Sequence, residues 1–140
     1  MHVRLLALLG ALPLLAACEN SAVPFAIDAN REALILVREQ PYFWSDRLEQ
    51  AVVASRMPQC QRRVTIKPGS KASLKMEVFE AGSQLWALHQ GNNWYLASTE
   101  KCLVQDWAAP AQPPGPLVGT FTLKDGVPAF VPVQAAPSKP

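Results

Sequence analysis

A chain of 140 residues, 49% hydrophobic and 17% charged, supplies one domain of ordinary size and excludes a multi-domain enzyme. Thirteen Lys and Arg against eleven Asp and Glu give a formal charge of +2, too balanced for the phosphate-tracking surface that nucleic-acid binding requires. Thirteen prolines, most of them in the C-terminal third, imply that the folded part is shorter than the chain.

The N-terminus reads as an export signal. Arg4 and the terminal amine make a positive end, and residues 5–15 (LLALLGALPLL) form an apolar run. Such a run is shorter than the ~20 residues of a permanent membrane span. The sequence Leu15-Ala16-Ala17-Cys18 then resembles the lipobox of bacterial lipoproteins. The resemblance implies cleavage before Cys18, which removes residues 1–17 as a signal peptide. It also implies a diacylglycerol on the Cys18 thiol and a palmitate-like acyl chain on the new amine. Three chains, at about 0.8 kcal/mol per buried methylene, make a permanent membrane anchor. Glu19 is similar to the outer-membrane sorting pattern of enteric lipoproteins, so the expected place is the outer membrane, facing the periplasm.

With Cys18 lipidated, Cys60 and Cys102 remain, and two thiols exported to an oxidising compartment most simply pair with each other. A metal site needs about two further ligands, and His89 is the only imidazole after the signal, so no metal and no cofactor are expected. Neither cysteine lies in a C-x-x-C arrangement that would make it reactive.

Along the mature chain, residues 18–30 read as a lipidated tether, because Pro24 and Asp28-Ala29-Asn30 argue against regular structure. Residues 33–37 (ALILV) fit a strand buried on both faces. From Ser45 the period turns helical: Leu48, Ala51, Val52 and Ser55 recur at i, i+3, i+4 and i+7, and Pro58 closes the element. Val64 and Ile66, then Leu74, Met76 and Val78, alternate as half-buried strands do. Residues 84–89 and 93–98 flank a Gly91-Asn92 turn, and residues 101–107 add a strand that carries Cys102. The expectation is an α+β fold over residues 31–107: a small disulfide-stapled antiparallel meander with one amphipathic helix packed on it. Residues 108–116 (AAPAQPPGP) read as a Pro-rich linker. Residues 117–133 read as an edge hairpin turning at Lys124-Asp125-Gly126, and residues 134–140 as a disordered tail.

Chemistry-bearing groups are sparse. His89 stands alone at a hairpin end, and Glu32 with Glu39, or Glu77 with Glu80, are the available carboxylate pairs. No Gly-rich phosphate loop is present, so no catalytic residue and no enzyme are expected. Aromatics are more suggestive. Tyr42-Phe43-Trp44 precede the expected helix, and Trp86, Trp94, Tyr95 and Trp107 lie on or beside the hairpin, with Trp94 and Tyr95 on opposite faces. They either fill a small core or present a strip to sugars, peptides or a partner protein. Tyr42, Trp44, Trp86, Trp94 and Tyr95 form the candidate binding surface. Arg62, Arg63 and Lys67 make a modest basic cluster, read either as a solvated strand face or as a contact for anionic lipid or wall polymer.

Three segments, Pro41-Tyr42-Phe43-Trp44-Ser45, Met57-Pro58-Gln59-Cys60-Gln61-Arg62-Arg63 and Trp94-Tyr95-Leu96-Ala97, resemble a family of small proteobacterial envelope lipoproteins. That resemblance implies location and no activity. A more distant one is to lipid-anchored lysozyme inhibitors, whose inhibitory loop is not matched residue by residue. The expected function is a non-catalytic structural or interaction lipoprotein, held to the membrane by its anchor and bound to an envelope protein. The alternative is a binding module or inhibitor directed at wall glycans or a glycan hydrolase.

Overall fold

The computed structural model describes residues 20–28 and 31–134. Every regular element among them is a strand. Sheet A consists of β1 (Asn20–Asp28), β2 (Glu32–Glu39), β3 (Arg47–Arg56) and β4 (Cys60–Ser70), neighbours in chain order. Sheet B contains β5 (Met76–Gly82), β6 (Leu85–Gln90), β7 (Asn93–Ser98), β8 (Leu103–Trp107), β9 (Leu117–Lys124) and β10 (Val127–Pro132), in the order β10-β9-β5-β6-β7-β8. All pairings are antiparallel.

The α+β expectation is therefore corrected to all-β, and the residues expected to form the helix are β3. Leu48, Gln50, Val52 and Ala54 are buried on the inner side, whereas Val53 lies on the outer side and is only half-buried. The helical quartet Leu48, Ala51, Val52 and Ser55 mixes the two faces. Its period was misleading because the outer face of sheet A is itself built of small and apolar residues, which erases the polar alternation that marks a strand. The β-branched pair Val52-Val53 and the ladder to β2, with Leu36 opposite Val52 and Ile35 opposite Val53, decide for the sheet.

Two boundary expectations also change. Most of the expected tether is β1, because Val23, Phe25 and Ile27 alternate inward and pair along β2, with Phe25 opposite Leu34. Pro24 is tolerated since β1 is a terminal strand of its sheet, where a missing N–H is harmless. Cys18 and Glu19, and the tether's Ala29 and Asn30, lie outside the described residues, as do residues 1–17 and all but Gln134 of the expected disordered tail. The Pro-rich segment is not a spacer between units. It returns the chain across sheet B so that β9 inserts beside β5, and the Glu80 N–H donates to the Pro116 carbonyl at 2.9 Å. Gly115 permits this crossing, for a Cβ there would stand 1.9 Å from the Glu80 carbonyl oxygen. The expected edge hairpin thus supplies an interior strand, β9, and one edge strand, β10.

Between the sheets, Leu34, Leu36, Val52 and Ile66 of sheet A meet Met76, Val78, Trp86, Leu88, Tyr95, Val104 and Phe121 of sheet B. The flanks of this sandwich close differently. On the β1–β10 side, Phe25 stacks on Phe130 with centroids 4.4 Å apart and meets Trp86 edge-on at 5.3 Å. Gly119 leaves the room that the Phe130 ring fills, since a Cβ there would lie 2.3 Å from Cζ. On the β4–β8 side a disulfide joins Cys60 to Cys102, with Cα atoms 6.0 Å apart. The pairing expected from export is the pairing found.

Candidate functional site

The aromatic residues grouped from sequence fall into three separate places. Trp86 and Tyr95 are 8% and 1% exposed, so both belong to the core. Trp86 Nε1 has no hydrogen-bond partner among the described residues, whereas the Tyr95 hydroxyl lies against the Lys67 backbone. Trp94 is on the outer face of sheet B and half-buried. His89 stacks on it at 4.2 Å, Phe79 lies at 5.6 Å, and Trp107 meets it edge-on at 6.1 Å. Pro110, Ala111, Gln112 and Pro113 of the Pro-rich crossing wall a groove of about 300 Å3 beside these rings.

Tyr42, Phe43 and Trp44 remain outside, 55%, 57% and 70% exposed, in the β2–β3 connection. Tyr42 and Trp44 stack at 5.0 Å, and Phe43 meets Trp44 edge-on at 4.9 Å. The connection is held from beneath by one buried side chain: Gln40 Nε2 lies within 3.2 Å of the Tyr42, Phe43 and Ser45 carbonyls, to which it donates. A flat sugar platform across the five expected positions is thereby excluded, because two are core and two of the others stack on each other.

The candidate chemical groups are dispersed. His89 Nδ1 lies 3.3 Å from Glu77 Oε1 and Nε2 lies 2.8 Å from the Gly91 carbonyl, so the ring is fixed at both nitrogens as part of the sheet surface. Glu77 and Glu80 are three apart on one strand and point to opposite faces. Glu32 and Glu39 stand at opposite ends of β2, about 23 Å apart at strand rise. Glu32 instead accepts a hydrogen bond from the buried Thr99 hydroxyl. No group of three or more His, Cys, Asp or Glu gathers as a metal site among the described residues. Of the basic cluster, Arg63 pairs with Glu39 at 3.3 Å across β3, and Lys67 reaches Asn93.

One constellation was not anticipated. Arg38, Gln50 and Gln90 form a buried polar layer between the sheets, 7%, 2% and 5% exposed. Arg38 Nε donates to Gln50 Oε1 at 2.9 Å, and its Nη2 donates to the Leu74 carbonyl. Gln50 Nε2 donates to the Lys67 carbonyl at 2.8 Å and to Gln90 Oε1 at 2.9 Å, and Gln90 Nε2 reaches Gln50 Oε1 and the Ser73 carbonyl. Arg38 continues the inward face of Leu34 and Leu36, a position that alternation marks but that a charge at the end of an apolar run disguises. Burial pushes the Arg38 guanidinium down to about 10, which leaves it charged at neutral pH.

Comparison with protein-family models, curated proteins and solved structures finds no match.

Proposed function

We propose that this chain is a lipid-anchored, non-catalytic interaction module of the bacterial cell envelope, tethered through Cys18 and working through the outer face of sheet A. The observation that carries the reading is the composition of that face. Ala22, Val37 and Ala51 form one row across β1, β2 and β3, Pro24, Ile35 and Val53 the next, and Ala26 and Ala33 the start of a third. Ile35, Val37 and Val53 remain half-buried, and Ala22, Pro24 and Ala26 exposed. The Glu39–Arg63 ion pair crosses this face over β3, where Ala51 is only 1% exposed, and leaves the apolar positions of β1 and β2 open beside it. An apolar field crossed by a single exposed ion pair is a surface that an apolar face of another envelope protein, with a charge of its own, can cover. The outer face of sheet B differs, since the Pro-rich crossing already lies on it.

A photoreactive residue at Val53, introduced in cells producing the full chain, is expected to trap one envelope protein reproducibly. Ile35→Lys should abolish that adduct. Equal trapping from Gln105, on the outer side of sheet B, or persistence of the adduct in Ile35→Lys, would contradict the assignment.

A further inference from the structure

Arg38 is a buried cation with no carboxylate partner among the described residues. Two of its hydrogens are used by Gln50 and Leu74. The guanidinium also lines a cleft of about 500 Å3, together with Asn20, Lys71, Leu74, Leu123 and Pro128. A buried cation is costly when no anion compensates it, and a guanidinium fork suits phosphate oxygens. The cleft therefore offers a positive floor, a second cation on its wall and apolar sides.

Its position in the molecule says what reaches it. Asn20, on the cleft wall, opens β1 and stands two residues after Cys18. Asn20 Oδ1 accepts the Gln40 N–H at 3.2 Å, which ties this end to the Tyr42–Trp44 connection. The Lys71 N–H donates to the Asp46 carbonyl at 3.0 Å on the same side. The β9–β10 hairpin brings Leu123, 46% exposed, onto the cleft wall, and Val127, 62% exposed, opens β10 beside it. The exposed Tyr42, Phe43, Trp44 and Val127 thus lie in the connections at the same end of the sandwich as the cleft, the end at which β1 begins. Aromatic rings of this kind favour the membrane–water interface.

We propose that this end of the sandwich faces the lipid surface, where Arg38 and Lys71 receive the phosphate of one anionic phospholipid headgroup while Tyr42, Phe43, Trp44, Leu123 and Val127 enter the interfacial layer. The assignment rests on the Cys18 anchor, and its test keeps the two apart. The full-length lipoprotein is placed in phosphatidylcholine vesicles carrying a small fraction of brominated phosphatidylglycerol or, in parallel, brominated phosphatidylcholine. Tryptophan emission reports local bromine. Trp44, 70% exposed, is the only one of the four tryptophans that is not buried or half-buried, so the part of the quenching lost in Trp44→Phe is its own. One buried charge near an anionic headgroup corresponds to about fivefold enrichment of the brominated phosphatidylglycerol over the phosphatidylcholine.

Trp44→Phe should remove the quenching, and Arg38→Gln should remove the lipid preference while leaving the protein on the vesicles. Lys71→Gln, at an exposed position, reads the same preference independently of Arg38 folding effects and should reduce it. Equal quenching by both lipids, or a preference unchanged in Arg38→Gln and Lys71→Gln, overturns the headgroup site. Equal quenching by the two lipids together with Arg38-dependent binding of inorganic phosphate assigns the cleft to free phosphate and overturns the lipid. Protein that floats with vesicles but shows no Trp44 quenching overturns the lipid-facing end and leaves the anchor standing. Protein that fails to float overturns the anchor itself.

Discussion

Replacing both Cys60 and Cys102 by alanine lowers the free energy of unfolding by about 4 kcal/mol, the loop-closure entropy returned to a denatured chain when a bridge across 42 residues is removed. Denaturant titration of the oxidised protein and the double variant reads the difference. The effect is large because of where the bridge sits. Cys60 opens β4, the last strand of sheet A, and Cys102 directly precedes β8, the last strand of sheet B. On the opposite flank, Phe25 and Phe130 close the sandwich by packing. The bridge takes that role on the β4–β8 flank, where Arg62 and Arg63 follow Cys60 and are exposed. A loss below about 1 kcal/mol, the scale of an ordinary point mutation, would show that packing alone holds that flank.

Truncating Trp86 has a comparable cost by a different mechanism. Trp86→Ala is expected to lower stability by about 3–5 kcal/mol, the transfer and cavity terms of an aromatic side chain removed from a packed core. Trp86 is 8% exposed and lies edge-on to Phe25, which in turn stacks on Phe130, so one ring supports contact between the sheets and the β1–β10 flank together. Trp44→Ala, at 70% exposure, is the internal control and should stay within about 0.5 kcal/mol of the parent. The same denaturation curves test both, and similar losses for the two variants would contradict the division of the aromatics into core and surface.

That division marks where sequence reasoning succeeded and where it stopped. β5 was legible because Met76 and Val78 alternate with the polar Lys75 and Glu77, and the β6–β7 hairpin because Gly91-Asn92 is turn chemistry between two short apolar stretches. The Asp125-Gly126 turn was legible from residue type, and both positions take positive φ, 53° and 77°. β3 was misread because Ala51 and Val53 make its outer face apolar too, so hydrophobicity lost its period of two. β1 was missed because Pro24 drew attention from the inward series Val23, Phe25 and Ile27. For the aromatics, alternation separated Trp94 from Tyr95 and could say no more. Which face was core depended on the Pro-rich crossing and on sheet A, both tertiary facts. Arg38 was hidden by the same limit: a charge ending an apolar run reads as a strand terminus, whereas Gln50, Gln90 and the Leu74 carbonyl give it a place inside.

The proposed partner face of sheet A and the proposed lipid-facing end occupy different parts of the sandwich. With β1 starting at Asn20, almost no chain separates the sandwich from Cys18, so an anchored domain lies close against the bilayer rather than on a long stalk. The face built around Ile35, Val37 and Val53 runs along the strands and away from the Tyr42–Trp44 end, so the proposed protein partner would reach it without competing with the proposed lipid contact.

Intact-mass and peptide mass spectrometry of the protein extracted from membranes is the measurement that tests this account most directly. A chain beginning at Cys18, carrying a diacylglycerol on its thiol and an acyl group on its amine, with Cys60 and Cys102 resistant to alkylation until reduced, is the expected result. An unmodified Cys18, or a mature chain that begins elsewhere, would contradict the anchor and with it the lipid-facing orientation.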